Sequence, residues 1–191
     1  MGRWEPNARG RLEQAALELY AERGFENTTV AEIAARAGLT ERTFFRHCAD
    51  KREILFAGAG RLTELVVGAV AAAPPSASPI DVMAAALEEV GTMFEDRYDF
   101  ARQRHAVIEA SAELRERELI KMASLAAALA AAFRRRGVPA TAAALTAEAG
   151  VAVFRIAFER WVAGSGEPDL AHLLRESMAE LKAVTSGRSG P

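Results

Sequence analysis

Residues 29–55 read TVAEIAARAGLTERTFFRHCADKREIL, and this stretch decides the fold. Thr29 begins Thr-Val-Ala-Glu, a capping box in which the Thr29 hydroxyl and the Glu32 carboxylate satisfy open backbone N–H groups at a helix start. Ile33, Ala34 and Ala37 fall on one face of the ensuing helix, and Gly38 ends it. Thr40 caps a second short helix running to about His47, with Phe44 turned inward. Two short helices joined by a tight turn at Gly38-Leu39 have the dimensions of a helix-turn-helix, whose second helix fits the ~12 Å major groove of B-DNA. The small inner residues Ala34 and Ala37 let the helices cross closely.

The outward residues suit that use. Glu41, Arg42, Thr43 and Arg46 project from the second helix. Arg42 can donate a bidentate pair to guanine, and Thr43 can touch a thymine methyl or a base edge. Thr29 and Thr40 stand at helix starts, where a hydroxyl and free backbone N–H groups hold a phosphate. His47 and Lys51 flank the second helix and can donate to backbone phosphates. Spacing alone leaves a second reading open, a helical domain that binds nothing.

Helix punctuation continues in both directions. Before the motif, Leu12, Ala15, Ala16, Leu19 and Tyr20 form one stripe between Asn7 and Arg23, closed by Gly24 with Phe25 folding back. After it, Asp50-Lys51-Arg52-Glu53 opens a helix predicted to run to about Ala72. Pro74-Pro75-Ser76-Ala77-Ser78-Pro79 is the clearest break, and Ser78 with Pro79 starts the fifth helix. Further helices are predicted near 99–110 and 112–136, the latter ending in Arg134-Arg135-Arg136-Gly137. Thr141 to Ala163 and Pro168 to Val184 make the last pair, joined through Gly164-Ser165-Gly166, and 185–191 reads as a disordered tail. The expectation is an all-α fold of nine helices without a sheet: a head over 1–55 and a helical remainder over 56–191.

Composition bounds the rest. The 191 residues are half apolar and about a quarter charged, which suits one or two small globular domains. The net charge is −2, and residues 1–55 balance nine Lys/Arg against nine Asp/Glu, so a DNA partner must be argued from where charges sit. Cys48 is the only cysteine, which leaves no internal disulfide. No uninterrupted apolar run reaches ~18 residues and no signal-peptide pattern opens the chain; the expectation is a cytoplasmic protein with no membrane partner. His47, His105 and His172 are scattered, with no His-x-x-x-His or Cys-x-x-Cys, so neither a metal nor another cofactor is expected. Cys48 and His47 point about 100° apart on a helix and cannot pair as nucleophile and base; an enzyme is not the expectation.

From about Arg11 to Leu55 the chain resembles the amino-terminal domain of TetR-family transcriptional regulators. The resemblance is carried by Ala15-Ala16, Leu19-Tyr20, Gly24-Phe25, Thr28-Thr29-Val30, Ile33-Ala34, Ala37-Gly38-Leu39-Thr40, Thr43-Phe44-Phe45, His47 and Lys51. It implies phosphate clamping by Thr29, Phe45, His47 and Lys51 and base reading by Glu41, Arg42 and Thr43. Thr43-Phe44-Phe45-Arg46 further resembles an actinobacterial subgroup that includes mycofactocin-type regulators. In two places the chain departs from the family. Phe45 replaces the usual tyrosine, removing a phenol-to-phosphate hydrogen bond of ~1–2 kcal/mol. Cys48 replaces the usual core phenylalanine, which loosens packing unless a neighbour fills in. Arg3 and Trp4 precede the first helix, where two readings stand, a disordered terminus, which is favoured, or a basic arm that reaches a groove.

Residues 141–163 are apolar nearly all round, which calls for cover on two sides: the chain's own core and a second copy, or the core alone. The resemblance implies a dimer through the last two helices, with Val151, Phe158, Trp161, Leu173 and Leu174 as interface candidates. It also implies an effector pocket, for which Met93, Phe94, Tyr98, His105, Met122, Phe133, Phe154 and Phe158 are the candidate lining, with His105 and Tyr98 as polar anchors, although for any one of them plain core packing is the favoured alternative. The expected partners are a roughly palindromic DNA operator, a second copy and a small-molecule effector of unknown identity, with repression as the mode. The alternative is a dimeric helical scaffold whose reading head has decayed.

Overall fold

The computed structural model describes residues 7–165, 167 and 169–187. Among them are nine α-helices and no strand: α1 (Ala8–Arg23), α2 (Val30–Arg36), α3 (Glu41–His47), α4 (Ala59–Ala72), α5 (Pro79–Met93), α6 (Tyr98–Glu109), α7 (Ala112–Arg135), α8 (Ala140–Ala163) and α9 (Leu170–Thr185). The all-α expectation holds. Arg3, Trp4 and Pro168 lie outside the described residues, while Thr185, assigned to the tail by sequence, closes α9.

The chain forms two compact units. The first takes in residues through Ala59 together with Arg102–Leu119, so the end of α6 and the start of α7 belong with the head. The second comprises Gly60–Ala101 and everything from Ile120.

In the first unit, α1 packs on α2 and α3 over Leu12, Leu17, Leu19, Ile33, Phe44, Ile54 and Leu55, all essentially buried. The sequence expectation of one helix from Asp50 to Ala72 is corrected. Asp50 Oδ1 accepts from the N–H groups of Arg52 (2.8 Å) and Glu53 (3.1 Å), and the chain then winds into a 3₁₀ turn over Glu53–Phe56. α4 begins only at Ala59, after Gly58, a residue with little helix preference. The segment from α6 and α7 is tied to this turn by arginines. Arg104 Nε donates to Leu55 O (2.8 Å), its guanidinium lies 5.0 Å from the Phe56 ring centroid, and it pairs with Glu118 at 3.1 Å. Arg117 pairs with Glu53, and Arg52 with Glu113 at 3.3 Å.

The second unit is built on α5, α8 and α9, which pack on one another around Met83, Ala86, Val90, Ala147, Ala157, Leu170 and Leu174. α8 is long and apolar enough to cross a membrane, but Ala143, Ala147, Val153, Ala157 and Trp161 bury one side of it in this core. Ser78 caps α5 with Pro79 in its first turn, as expected. Arg136 does more than offset its own helix dipole. Its guanidinium donates to Val70 O (3.0 Å), Ala73 O (2.7 Å) and Pro74 O (2.7 Å), satisfying carbonyls at and just past the end of α4.

Two glycines set helix approach. A Cβ on Gly91 in α5 would lie 2.6 Å from the backbone Cα of Ala171 in α9, and one on Gly150 in α8 would run into the Met83 thioether. The obstacles differ in kind: backbone cannot yield, whereas a methionine side chain swings aside. Gly91→Ala is therefore expected to cost about 1–3 kcal/mol, read as a fall of about 2–4 °C in Tm per kcal/mol, and Gly150→Ala to cost less. Thermal unfolding followed by circular dichroism checks the ranking.

Candidate nucleic-acid interface

The reading head starts from its caps. At α2 the capping box is complete: Glu32 N–H donates to Thr29 Oγ (3.3 Å), and Thr29 N–H returns to the Glu32 carboxylate (2.9 Å). The Thr29 hydroxyl also donates to that carboxylate at 2.9 Å, and Arg23 pairs with it at 2.7 Å. These contacts, the Thr29 N–H above all, hold the Glu32 carboxyl below the usual range. Thr29, predicted to hold a phosphate, thus has its hydroxyl proton and its N–H committed to Glu32.

α2 ends in a Schellman turn. Gly38 N–H donates to Ala35 O (3.0 Å) and Leu39 N–H to Ala34 O (2.8 Å), with Gly38 at φ +67°, where glycine avoids the strain a Cβ brings. Thr40 then caps α3, its Oγ accepting from Thr43 N–H (3.2 Å) and lying 3.1 Å from Thr43 Oγ. Arg36 fixes α2 to α1 through Glu22 (2.9 Å) and Glu18 (3.3 Å).

α3 divides sharply. Phe44 is fully buried, while Glu41, Arg42, Phe45 and Arg46 are exposed and Thr43 and His47 half-buried. Glu41 and Arg42 make no hydrogen bond or ion pair among the described residues, so both are available to a base edge. Phe45 stands 55% exposed, edge-on to Phe44 at 5.5 Å between centroids. Arg46 lies 3.5 Å from His47 Nε2. Cys48 ends the helix, buried, with its thiol pushed up by desolvation.

Lys51 is placed differently from Arg42. Its ammonium donates to Phe25 O (2.9 Å) and Thr28 O (3.1 Å) and sits 4.1 Å from the Phe25 ring centroid. Its own carbonyl accepts from the Tyr20 hydroxyl at 2.6 Å, and burial lifts the Tyr20 phenol well above its ordinary range. Sequence reasoning missed this knot; Tyr20, Phe25 and Lys51 were each legible, but not that their polar atoms meet.

The other predicted sites fall in the second unit, except His105, which the first unit holds. Phe94, Tyr98, Phe154 and Phe158 come together with Trp161 in one ring cluster, with centroid separations of 5.2 Å for Tyr98–Trp161 and 5.8 Å for Phe94–Phe158. Met93 and Met122 pack against the surrounding core, and Phe133 is fully buried within it. Among the interface candidates, Val151 and Phe158 are half-buried. Trp161, Leu173 and Leu174 are at most 5% exposed. The open apolar side chains of these helices are instead Leu145, Ile156 and Val184. Among the described residues no three His, Cys, Asp or Glu gather as metal ligands would.

Capped short helices, a left-handed glycine turn and a polar exposed face on the second helix define a helix-turn-helix DNA-binding protein. The family model described as bacterial regulatory proteins of the tetR family matches residues 13–57, and that of the MftR C-terminal domain matches residues 77–186. The chain belongs to the tetR family of transcriptional regulators. The HTH-type transcriptional regulator TcmR of Streptomyces glaucescens is 35% identical over 82 residues, covering 43% of this chain. The match spans only 36% of that relative's length. In fold the chain is similar to FadR from Bacillus subtilis in complex with stearoyl-CoA, with a TM-score of 0.64, 17% identity, and 90% and 96% of the two chains covered. It is also similar to FadR from Thermus thermophilus in complex with lauroyl-CoA, with a TM-score of 0.56, 23% identity, and 96% of each chain covered.

Lys51 and Arg42 should separate on mutation. Lys51→Met removes a charged hydrogen-bond pair and is expected to lower Tm by about 4–8 °C, from a loss of about 2 kcal/mol. It should weaken binding to all DNA alike and leave the salt dependence unchanged; a slope smaller by about one would return the ammonium to a phosphate. Arg42→Ala should leave Tm alone and erase preference at particular base pairs by ~1–3 kcal/mol each.

Proposed function

We propose that this regulator is a homodimeric repressor, acting in the cytoplasm, that leaves a roughly palindromic operator when a small molecule occupies its second unit. The observation that carries the DNA-reading part is the exposed face of α3, where Glu41, Arg42, Phe45 and Arg46 stand clear of the fold while Phe44 anchors the helix from behind. In this reading Arg42, Glu41 and Thr43 meet base edges. Thr40, Arg46, His47 and the ring of Phe45 meet phosphate and sugar, with Thr29 and Lys51 holding the frame.

Two copies are required because a helix of seven residues reads only a few base pairs, and two-fold symmetry joins two half-sites about one helical turn, or a multiple of it, apart. The surface for the second copy is the stripe Leu145, Ala149, Ala152, Ile156 on α8, which repeats at three- and four-residue steps, with Val184 on α9. Leu145 is 66% exposed and Ile156 48%, an unusual cost in water for side chains with no partner. The effector part rests on the ring cluster of the second unit and on the two acyl-CoA-bound structures of the same fold. A ligand that binds one arrangement of the dimer better by ~3 kcal/mol changes DNA affinity over a hundredfold.

Genome-fragment selection with the purified protein is expected to recover a two-fold repeated site bound in a strongly salt-sensitive manner. Ile156→Arg is expected to shift the protein to monomer in sedimentation and to weaken operator binding at least about tenfold, since avidity is lost. A chain that sediments as a monomer, or that ignores every fragment in dilute salt, would overturn the reading.

A further inference from the structure

The indole N–H of Trp161 is an oddity of the second unit. The residue is 3% exposed and its Nε1 is buried with no hydrogen-bond acceptor. Its neighbours are rings: Tyr98 at 5.2 Å, Phe158 at 5.9 Å and Phe94 at 6.0 Å between centroids, all edge-on. Ring faces are weak acceptors, well short of an oxygen. The one hydroxyl in the group does not accept this proton: Trp161 Nε1 has no hydrogen-bond partner, and Tyr98 directs its own O–H to Gly164 O at 2.6 Å. Buried indoles ordinarily find a partner for this proton.

We propose that Trp161, with Phe94, Tyr98, Phe154 and Phe158, forms the binding site for an uncharged, largely apolar small molecule whose carbonyl or ether oxygen accepts the indole N–H. The proposal rests on the effector reading above and gives its ligand a chemical class. The apolar part follows from the lining, which these rings form together. The absence of charge follows from what the cluster offers a ligand, five rings and one N–H donor with hydrophobic core residues packed against them. A carboxylate moved there would exchange its water for ring faces and a single N–H. An ammonium would meet an N–H that only donates. Phe94, Tyr98 and Phe158 are half-buried where Trp161 is closed off, so the cluster reaches the surface of its unit through these three rings.

The test uses the full chain carrying Trp4→Phe, in which Trp161 is the sole tryptophan, labelled with [15N]tryptophan. The probes are butyrophenone, butylbenzene (its carbonyl replaced by methylene) and 4-phenylbutyrate. Butyrophenone is expected to move the single indole N–H resonance downfield with saturation, butylbenzene to bind about tenfold more weakly, and 4-phenylbutyrate to leave the resonance in place. Trp161→Phe is expected to level the two neutral probes, read by calorimetry on protein whose Tm is checked first. Should that variant not fold, the ketone–hydrocarbon comparison on the parent stands alone. A resonance unmoved at about 1 mM ketone, or moved equally by the hydrocarbon, overturns the proposal. Fragment selection on the same sample keeps the two readings apart. If DNA is captured and the probes are ignored, the ligand class fails while the regulator stands; if the ketone is preferred and no DNA is captured, the reverse holds.

Discussion

A helix of seven residues does not persist in water, and the reading head depends on two of them. What holds them is the hydrogen-bonded knot at Lys51. Its ammonium gathers the carbonyls of Phe25 and Thr28, which lie in the loop between α1 and α2, while its own carbonyl is held by Tyr20 from α1. A residue just beyond α3 thereby fixes the exit of α1 and the entry to α2. The capping box at Thr29 and the Schellman turn at Gly38 then need only set local direction. An ammonium bonded to buried carbonyls is worth more than an exposed ion pair such as Arg36 with Glu22. That ranking makes Lys51 the frame of the head and leaves Arg42 free to read.

The same logic explains why part of α6 and α7 belongs with the head. The 3₁₀ turn at Glu53–Phe56 is too short to stand alone, and its carbonyl at Leu55, ring at Phe56 and carboxylate at Glu53 are taken up by Arg104 and Arg117. α6 begins in the second unit and ends in the first, and α7 does the reverse.

Local chemistry was legible wherever one residue type at one position has one use. Thr29 with Glu32, Gly38, Thr40, Ser78 with Pro79, and Gly137 all act where sequence places them, because caps and left-handed turns are decided within a few residues. Long-range polar contacts were not. Arg136 reads as a cation at the end of its own helix, yet it serves the carbonyls around the end of α4, more than sixty residues earlier. Asp50 looks like the start of a long helix, and it caps a 3₁₀ turn over Glu53–Phe56 instead. The apolar girth of α8 announced two covered sides without saying which residue faces which. Trp161, Leu173 and Leu174 went to the chain's own core, while Leu145 and Ile156 were left outside. Periodicity gives a face; only tertiary packing tells which neighbour covers it.

The balanced charge of the head, which argues against a nucleic-acid partner when counted, loses that force once the charges are located. Many of its carboxylates are answered locally: Glu32 by Arg23 and Thr29, Glu18 and Glu22 by Arg36, Asp50 by Arg52 and Glu53 by Arg117. On α3 the exposed Arg42 and Arg46 remain against a single Glu41. In the proposed reading the field a phosphate meets at short range would be set by those two guanidiniums, since closely paired opposite charges largely cancel beyond about one Debye length of ~8–10 Å. In the proposed reading Glu41 would act as a filter: an acceptor at the groove costs binding against most base edges and is repaid at the amino group of a cytosine. A head of zero net charge built this way sacrifices non-specific affinity and gains discrimination, which is the balance a regulator searching among many wrong sites requires.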